Sequence, residues 1–182
     1  KKLELLNGYS LEQIETKKTF DIKYRGEIKQ FEIPNKLVID DFVFKNYILK
    51  DKKSTEEMLV GIADNKKDIT VVHIHGGPAG HPSIYDNLIK GHSSIDLSYQ
   101  KTMSEHFNLV YWQQRGSGFS SGPDVGGITL NDMAADLHAL LAHIKKLFGE
   151  NHKIVIIGHS WGGYLSYYYL SHFDQYLVDA VL

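Results

Sequence analysis

The sequence predicts an α/β fold with a mostly parallel sheet, helices on both faces of that sheet, and antiparallel strands at the N-terminus. From residue 69 onward, β-rich apolar runs alternate with helical patterns, an order that requires crossover connections and parallel strands. Before residue 69, short β-rich runs separated by Lys-rich turns favour antiparallel strands. We expect one domain, with antiparallel strands over about residues 1–68 and a βαβ part over residues 69–182.

The antiparallel strands are predicted between Phe20 and Ala63. Apolar and polar residues alternate from Phe20 to Tyr24, and two short β-rich runs follow at residues 42–44 and 47–49. Alternation with a period of two is typical of a strand with one buried face. These segments predict several short strands leading into the sheet.

Three apolar runs predict buried parallel strands, at residues 69–74, 108–112 and 153–157. Continuous apolar runs of this length suit strands that are covered on both faces. Residues 177–182 predict a fourth parallel strand that begins there, beside the strand at residues 153–157.

The clearest helix is predicted between Thr129 and Gly149. Thr129 is a suitable N-cap, Asp132 follows three residues later, and Gly149 ends the pattern. Its apolar face consists of Met133, Leu137, Leu140, Leu141, Ile144 and Phe148. His138 and His143 are expected at the surface of this helix. A Tyr- and Leu-rich helix is predicted after residue 163.

Composition and charge exclude several classes of partner. The 20 Lys and Arg residues are balanced by 22 Asp and Glu residues, so the basic excess of a nucleic-acid-binding surface is missing and no nucleic acid partner is expected. No apolar run approaches the ~20 residues of a membrane span, so no membrane partner is expected. The sequence has no cysteine. A cytoplasmic location is the default expectation, but the chain begins with Lys1, and a trimmed N-terminus would keep a secreted or periplasmic location open.

The strongest chemical signal is a glycine–serine pattern, Gly158-x-Ser160-x-Gly162, between a predicted buried strand and a predicted helix. In a nucleophile elbow the serine takes a strained backbone conformation, and glycines two residues away avoid collisions with neighbouring backbone. A chance match is the alternative, since the bare pattern is common, but the strand–turn–helix context favours Ser160 as a nucleophile.

A second glycine-rich motif, His75-Gly76-Gly77-Pro78, ends an earlier predicted strand. An acyl-transfer enzyme needs two backbone N–H groups directed at the oxyanion of the reaction intermediate. We expect these donors to be Trp161, the residue after the serine, and Gly77. The alternative is that Gly-Gly-Pro is only a tight turn.

Three motifs together resemble the proline iminopeptidase family of α/β-hydrolases: residues 75–78, residues 111–120 and residues 158–163 occur in the family's order and at about its spacing. The resemblance covers about residues 69–182. It implies an α/β-hydrolase fold and a serine hydrolase that cleaves a small amide or ester through an acyl-serine intermediate, as an aminopeptidase of this type. The family usually has Asp where Gln113 stands and Gly where Ala79 stands, and both departures bear on proline specificity.

The second motif contains Gln114, Arg115 and Gly116. Arg115 could contact a substrate carboxylate near the site entrance. The role we favour is structural, with Arg115 and Gln114 tying their loop to neighbouring carbonyls. His73 and His75 could share one face of a strand as metal ligands, but the residues that a zinc hydrolase needs downstream are replaced by Gly and Pro, so we expect no metal and no cofactor.

In this fold the catalytic acid and histidine follow the serine in the chain, after later strands. We therefore expect the acid, the base, the cap domain and the C-terminal strands to lie outside these 182 residues, and the segment alone to be nearly inert. His81 and His159 are the nearest candidates for a substitute base, but neither follows a late strand.

Two classes of function remain open. The first is a serine peptidase, or an esterase- or lipase-like hydrolase, that acts on a small peptide or ester substrate. The second is a non-catalytic binding module of the same fold. In either case an uncovered strand edge at residues 177–182 predicts self-association or aggregation of the isolated segment.

Overall fold

The computed structural model describes residues 8–24, 27–39, 41–77, 80, 82–85, 98–120, 127–173 and 175–182. Within these residues the strands are β1 (Tyr9–Gln13), β2 (Lys17–Tyr24), β3 (Glu27–Pro34), β4 (Lys36–Ile39), β5 (Phe42–Asp51), β6 (Glu57–Ala63), β7 (Ile69–Ile74), β8 (Asn108–Trp112), β9 (Lys153–Gly158) and β10 (Ala180–Val181). The α-helices are α1 (Ser98–His106), α2 (Leu130–Phe148) and α3 (Trp161–His172), with short 3₁₀ turns at Ser83–Tyr85 and Gln175–Leu177. None of the helices in these ranges combines the length and the apolar character needed to cross a bilayer.

The main sheet has the strand order β1-β5-β6-β8-β7-β9-β10, and β4 also pairs with β5. The strands from β7 onward pair in parallel with one another, whereas β1, β4, β5 and β6 form antiparallel pairs. The predicted parallel sheet with antiparallel N-terminal strands is confirmed.

The N-terminal strands differ in detail from the sequence prediction. The two β-rich runs at residues 42–44 and 47–49 belong to one ten-residue strand, β5. Asn46 interrupts the apolar pattern, but it is buried, accepts a hydrogen bond from Tyr85 Oη at 2.9 Å and donates one to the Pro34 carbonyl at 2.9 Å. Since these bonds satisfy its side chain, the strand continues through it. Among the described strands, β2 pairs only with β3, in a separate two-stranded sheet.

The core has two parts, one on each face of the sheet. Val110 and Trp112 of β8 pack on the face covered by α2 and α3, whereas Leu109 and Tyr111 point to the opposite face. That second face is covered by the β2–β3 hairpin, the turn at residues 83–85 and the end of α1. Helices therefore flank both faces, as predicted.

Helix α2 begins with the predicted capping box: Thr129 Oγ1 accepts from the Asp132 N–H at 3.1 Å, and Asp132 Oδ2 accepts from the Thr129 N–H at 3.0 Å. The expectation that His138 lies at its surface is wrong, because α3 packs against this part of α2. His138 is buried, and its Nδ1 lies 3.0 Å from Tyr169 Oη. Because the buried imidazole of His138 has a hydroxyl as its hydrogen-bond partner, it is satisfied as a residue of the core.

Candidate active site

The glycine-rich motifs predicted from the sequence leave the sheet side by side. Ile74, the last residue of β7, pairs with Gly158, the last residue of β9. Because β7 and β9 are parallel neighbours, the loops that follow them emerge at the same edge of the sheet. Ligand sites of open α/β sheets lie at this edge.

Ser160 occupies a sharp turn between β9 and α3, with φ 54° and ψ −117°. A positive φ is unfavourable for a residue with a Cβ and persists only where the surroundings hold it. Three hydrogen bonds do so: the His159 N–H donates to Ile74 O at 3.1 Å, the Gly162 N–H to His159 O at 2.8 Å, and the Gly163 N–H to Ser160 O at 3.0 Å. The Ser160 residue itself is exposed to solvent.

Both glycines of the serine motif are required by close backbone contacts. A Cβ at Gly162 would lie 2.0 Å from Ile74 O, and a Cβ at Gly158 would lie 2.7 Å from the Gly162 carbonyl carbon. Neither position can accept a side chain without movement of the backbone. The spacing seen in the sequence therefore has a steric cause in the structure.

The loop after β7 lies directly against the serine. A Cβ placed on Gly76 would be 3.3 Å from Ser160 Cβ and 3.1 Å from His159 Nδ1. Gly77 follows with φ 127°, in the region that favours glycine, and is exposed. Pro78, the last residue of the predicted motif, lies outside the described residues.

Trp161 is the first residue of α3. The N–H groups of the first helical turn have no acceptor within the helix and carry the positive end of the helix dipole. An N–H group at this position can therefore donate a hydrogen bond to an anionic oxygen. Trp161 and Gly77 are the two predicted donors. Trp161 directly follows Ser160, and Gly77 directly follows Gly76, which lies against Ser160.

Gln114 joins these two segments. Its side chain is fully buried, donates from Nε2 to the His75 carbonyl at 2.9 Å, and accepts at Oε1 from the Trp161 indole at 3.1 Å. The Gln114 N–H donates to His75 Nε2 at 3.1 Å. That nitrogen must therefore be unprotonated, so the His75 ring is neutral and its Nδ1–H donates to Gly76 O at 2.7 Å.

Arg115 is buried and does not face the exposed serine. Its Nε donates to Asp136 Oδ2 at 2.6 Å and its Nη2 to Asp136 Oδ1 at 2.5 Å, while Asp51 Oδ2 lies 3.3 Å from Nη2. The structural role favoured from the sequence fits this geometry, but the expectation that Arg115 binds carbonyls is wrong: its partners are carboxylates. Gly116, next in the chain, turns the loop with φ 70°.

Sequence reasoning missed Asp51, Asp136 and Tyr9, which complete the buried network around Arg115. Tyr9 Oη donates to Asp136 Oδ1 at 2.8 Å. Burial raises the pKa of the Asp136 carboxyl to about 6, against the opposing effect of hydrogen bonds from Arg115 and Tyr9. Burial acts in the same direction on Asp51, but hydrogen bonds from Ser54, Lys53 and Arg115 lower its pKa below the usual value. The sequence offered no local signal, since these residues come from distant parts of the chain.

A general base for Ser160 is not found within the described part of the chain. His159 contacts Gly76 and makes no hydrogen bond to Ser160 Oγ in the structure, and His81 lies outside the described residues. Nor do the described residues contain a group of three or more metal-ligating side chains. His73 and His75 make different contacts: the His73 ring stacks on Tyr111, whereas both His75 ring nitrogens have partners near Gln114.

These features define an α/β protein whose serine lies at the carboxyl edge of a parallel sheet, between a strand and a helix. The sequence profile of the alpha/beta hydrolase fold family matches residues 69–182, which is more than half of the chain. The chain belongs to this family.

Curated relatives support the predicted resemblance to proline iminopeptidases. A probable aminopeptidase of Bacillus subtilis (strain 168) is 32% identical over 123 residues, covering 64% of this chain and 34% of the relative. A proline iminopeptidase of Saccharolobus solfataricus is 35% identical over 113 residues, covering 62% of this chain and 32% of the relative. The chain thus spans about a third of the length of these relatives.

Solved structures share the fold at lower identity. An esterase of Pyrococcus furiosus aligns with a TM-score of 0.54 and 22% identity over 72% of this chain and 48% of the esterase. A proline iminopeptidase-related protein of Thermus thermophilus aligns with a TM-score of 0.53 and 17% identity over 76% of this chain and 43% of that protein. These similarities concern the fold.

Proposed function

We propose that this chain carries the nucleophile and the oxyanion-binding groups of a serine hydrolase that cleaves small amides or esters. The observation that carries the proposal is the backbone of Ser160, which has φ 54° and lies beside Gly76 at the end of β7. A strained serine between a strand and a helix is the arrangement of a nucleophile elbow.

In the proposed reaction Ser160 Oγ attacks the substrate carbonyl carbon and loses its proton to a general base. The carbonyl oxygen becomes an oxyanion, which the backbone N–H groups of Gly77 and Trp161 stabilise. Collapse of this intermediate expels an amine or alcohol and leaves an acyl-Ser160 ester, which water then hydrolyses. The base is proposed to be a histidine outside the described residues, in keeping with the triad order of this fold.

Within this class we propose an aminopeptidase of the proline iminopeptidase type, which releases an N-terminal residue from a short peptide. The support comes from the three ordered motifs and from the two curated relatives, one named an aminopeptidase and the other a proline iminopeptidase.

Labelling with a fluorophosphonate probe tests the nucleophile. The full-length protein should react, and Ser160→Ala should not, because the probe forms its covalent bond with the activated hydroxyl. Ser166→Ala is a matched control, since Ser166 lies on α3 but its buried hydroxyl donates to Gly162 O at 2.7 Å. Equal labelling of wild type and Ser160→Ala would disprove the assignment.

A further inference from the structure

The peptide that carries the proposed oxyanion donor of Gly77 is bonded by a histidine side chain. His75, which directly follows β7, donates from Nδ1 to the Gly76 carbonyl at 2.7 Å. That carbonyl and the Gly77 N–H are the two ends of one planar peptide unit, which is trans. Because a trans peptide points its C=O and its N–H in opposite directions, a bond that fixes the carbonyl also fixes the direction of the N–H.

The orientation of this peptide is one that needs a restraint. Gly77 has φ 127°, a backbone conformation that favours glycine. A flip of the peptide would rotate φ of Gly77 by about 180°, into the negative range that all residues adopt. The residues on both sides of the peptide are glycines, so neither has a Cβ that would oppose the flip. The hydrogen bond from His75 supplies the restraint that the local backbone lacks.

The imidazole that supplies this bond is itself held on its other side. His75 Nε2 accepts from the Gln114 N–H at 3.1 Å, and Ser117 Oγ lies 3.3 Å from the same nitrogen. Ser117 Oγ also donates to the Gln114 carbonyl at 2.6 Å, which fixes the loop after β8 at this contact. A main-chain N–H can only donate, so Nδ1 is the ring nitrogen that carries the proton. Hydrogen bonds therefore lead from the loop after β8, through the ring, to the Gly76 carbonyl.

Gly80 lies against the same carbonyl. A Cβ added at Gly80 would lie 2.5 Å from Gly76 O and 3.4 Å from His75 Nδ1. A side chain at position 80 would therefore collide with the carbonyl or displace it. The absence of a side chain at Gly80 leaves the carbonyl room in the position where His75 bonds to it.

We propose that His75 is a positioning residue of the oxyanion site. Its ring bonds to Gly76 O and thereby holds the Gly77 N–H in the direction in which it donates to the substrate oxyanion. In this role the ring transfers no proton, so it differs from the general base of the reaction. The inference rests on the proposed function of Ser160 and Gly77.

Two substitutions of His75 in the full-length protein separate its two hydrogen bonds. His75→Asn places an amide N–H near the position of Nδ1 and can still donate to Gly76 O, whereas His75→Gln reaches the position of Nε2 and can still accept from the Gln114 N–H. Loss of one oxyanion donor costs ~10²–10³ in rate, and a loosened donor should cost part of that. We expect fluorophosphonate labelling of Ser160 to slow about tenfold or more in His75→Gln and to stay within about threefold of wild type in His75→Asn.

Turnover of p-nitrophenyl acetate distinguishes positioning of the oxyanion donor from binding of the substrate. The oxyanion forms only as the reaction proceeds, so His75→Gln should lower kcat by about tenfold or more and leave KM within about threefold. Gly80→Ala should also slow labelling and lower kcat, because its methyl group would displace the Gly76 carbonyl, and it tests the inference if a His75 variant fails to fold.

His152→Gln is the matched control. Its Nε2 lies 2.8 Å from Thr70 Oγ1, near the start of β7 and therefore at the opposite edge of the sheet from Ser160. The same change of side chain at this position should leave the labelling rate as in wild type.

Labelling also separates the two proposals. Absence of labelling in wild type would disprove the function of Ser160. Labelling of wild type with equal rates in His75→Gln and His75→Asn, with the wild-type rate in Gly80→Ala, or with an equal loss in His152→Gln and His75→Gln would overturn the role of His75 alone. A change in His75→Gln that is confined to KM would overturn it as well.

Discussion

The buried amide of Gln114 and the indole of Trp161 are joined by a hydrogen bond of 3.1 Å, in which Trp161 Nε1 donates to Gln114 Oε1. The same amide donates to the His75 carbonyl at 2.9 Å. One side chain thus connects the loop after β7 with the first residue of α3. These are the segments that carry the two proposed oxyanion donors, so Gln114 is placed to fix the distance between them.

Gln114→Leu should therefore reduce the reactivity of Ser160. The substitution leaves two polar groups without a partner and loosens the donor geometry, and small displacements of positioned groups can cost up to ~10²-fold in rate. We expect the rate of fluorophosphonate labelling to fall at least ~10-fold in the full-length protein.

Gln113→Leu is the matched control for this substitution. Gln113 is also fully buried, but its Oε1 accepts from the Phe119 N–H at 2.5 Å, within its own loop. Both variants should lose about 1–3 kcal/mol of stability, as expected for a buried group left unpaired. Equal losses of labelling rate in the two variants would refute a positioning role for Gln114.

Gly77→Val is expected to lower kcat by ~10²–10³, the usual effect of losing one oxyanion donor. A β-branched residue cannot adopt φ 127° without strain, so the N–H group should move. Gly149→Val imposes a similar backbone strain at φ 116°, at the end of α2. A Cβ added at position 149 would have no atom within 4 Å beyond its own residue and chain neighbours, so the substitution causes no steric clash there. The assignment is supported if Gly149→Val loses stability but keeps its kcat, whereas Gly77→Val has a reduced kcat. An unchanged kcat in folded Gly77→Val would place the donor elsewhere.

Gly162→Ala should destabilise the fold severely, whereas Gly163→Ala should be tolerated. The added methyl group would lie 2.0 Å from Ile74 O at position 162, but 3.5 Å from its nearest neighbour, Gly158 O, at position 163. We expect a loss of about 3 kcal/mol or more for Gly162→Ala, at the upper end of overpacking effects. Gly163→Ala replaces a glycine within a helix and should be neutral or stabilising. Urea unfolding of both variants checks this, and similar midpoints would contradict it.

The sequence predicted the site best where local sterics determine the structure. Gly158, Ser160 and Gly162 could be recognised because a tight turn between a strand and a helix allows few residue types. The parallel strands from residue 69 onward were recognisable for a similar reason, since apolar runs flanked by glycine-rich turns identify buried strands.

The parts that the sequence did not predict depend on long-range contacts. Asp136 follows the polar pattern of an ordinary helix residue, and only the packing of α2 against the Arg115 loop shows that it is buried. His138 was expected at the surface because its local sequence likewise gives no sign that α3 packs against α2 at this position. The break predicted within β5 failed because a distant hydroxyl, that of Tyr85, satisfies Asn46.

The stability of the protein should fall in acid because of His73. Its pKa in the folded state is about 4, below the ordinary value of 6.5, so the unfolded chain binds more protons between these pH values. The contribution of the neutral His73 side chain to stability is complete above pH 6.5 and is lost as the pH falls toward 4. Over this range the free energy of unfolding should change by up to about 1.4 kcal/mol per pH unit.

Urea unfolding of wild type and His73→Phe at pH 7, 6 and 5 measures this contribution. The stability of wild type relative to His73→Phe should decrease with decreasing pH. Tyr111→Phe keeps the His73 ring in place and should retain the acid sensitivity. A stability difference between wild type and His73→Phe that does not vary with pH would show that the imidazole is not buried as described.

The buried pair of Arg115 and Asp136 should show strong energetic coupling. Arg115→Met removes the bidentate guanidinium partner of the fully buried Asp136 carboxylate. We expect the free energy of unfolding to fall by about 3–5 kcal/mol. Asp136→Leu leaves a buried guanidinium whose only carboxylate partner among the described residues is Asp51, at 3.3 Å. In the double variant neither of these two charges remains, so its loss should be smaller than the sum of the single losses.

A double-mutant cycle in urea measures the coupling, which we expect to reach about 1–3 kcal/mol. Lys17 and Glu32 form the control pair, since their side chains are 61% and 58% exposed and such surface pairs contribute less than about 1 kcal/mol. Because Gln114 directly precedes Arg115, the single variants should also slow fluorophosphonate labelling of Ser160, and the double variant should recover part of that rate. If the stability losses of Arg115→Met and Asp136→Leu are additive, the coupling energy of this pair is no larger than that of the surface pair. That result would show that this network does not hold the Gln114 loop.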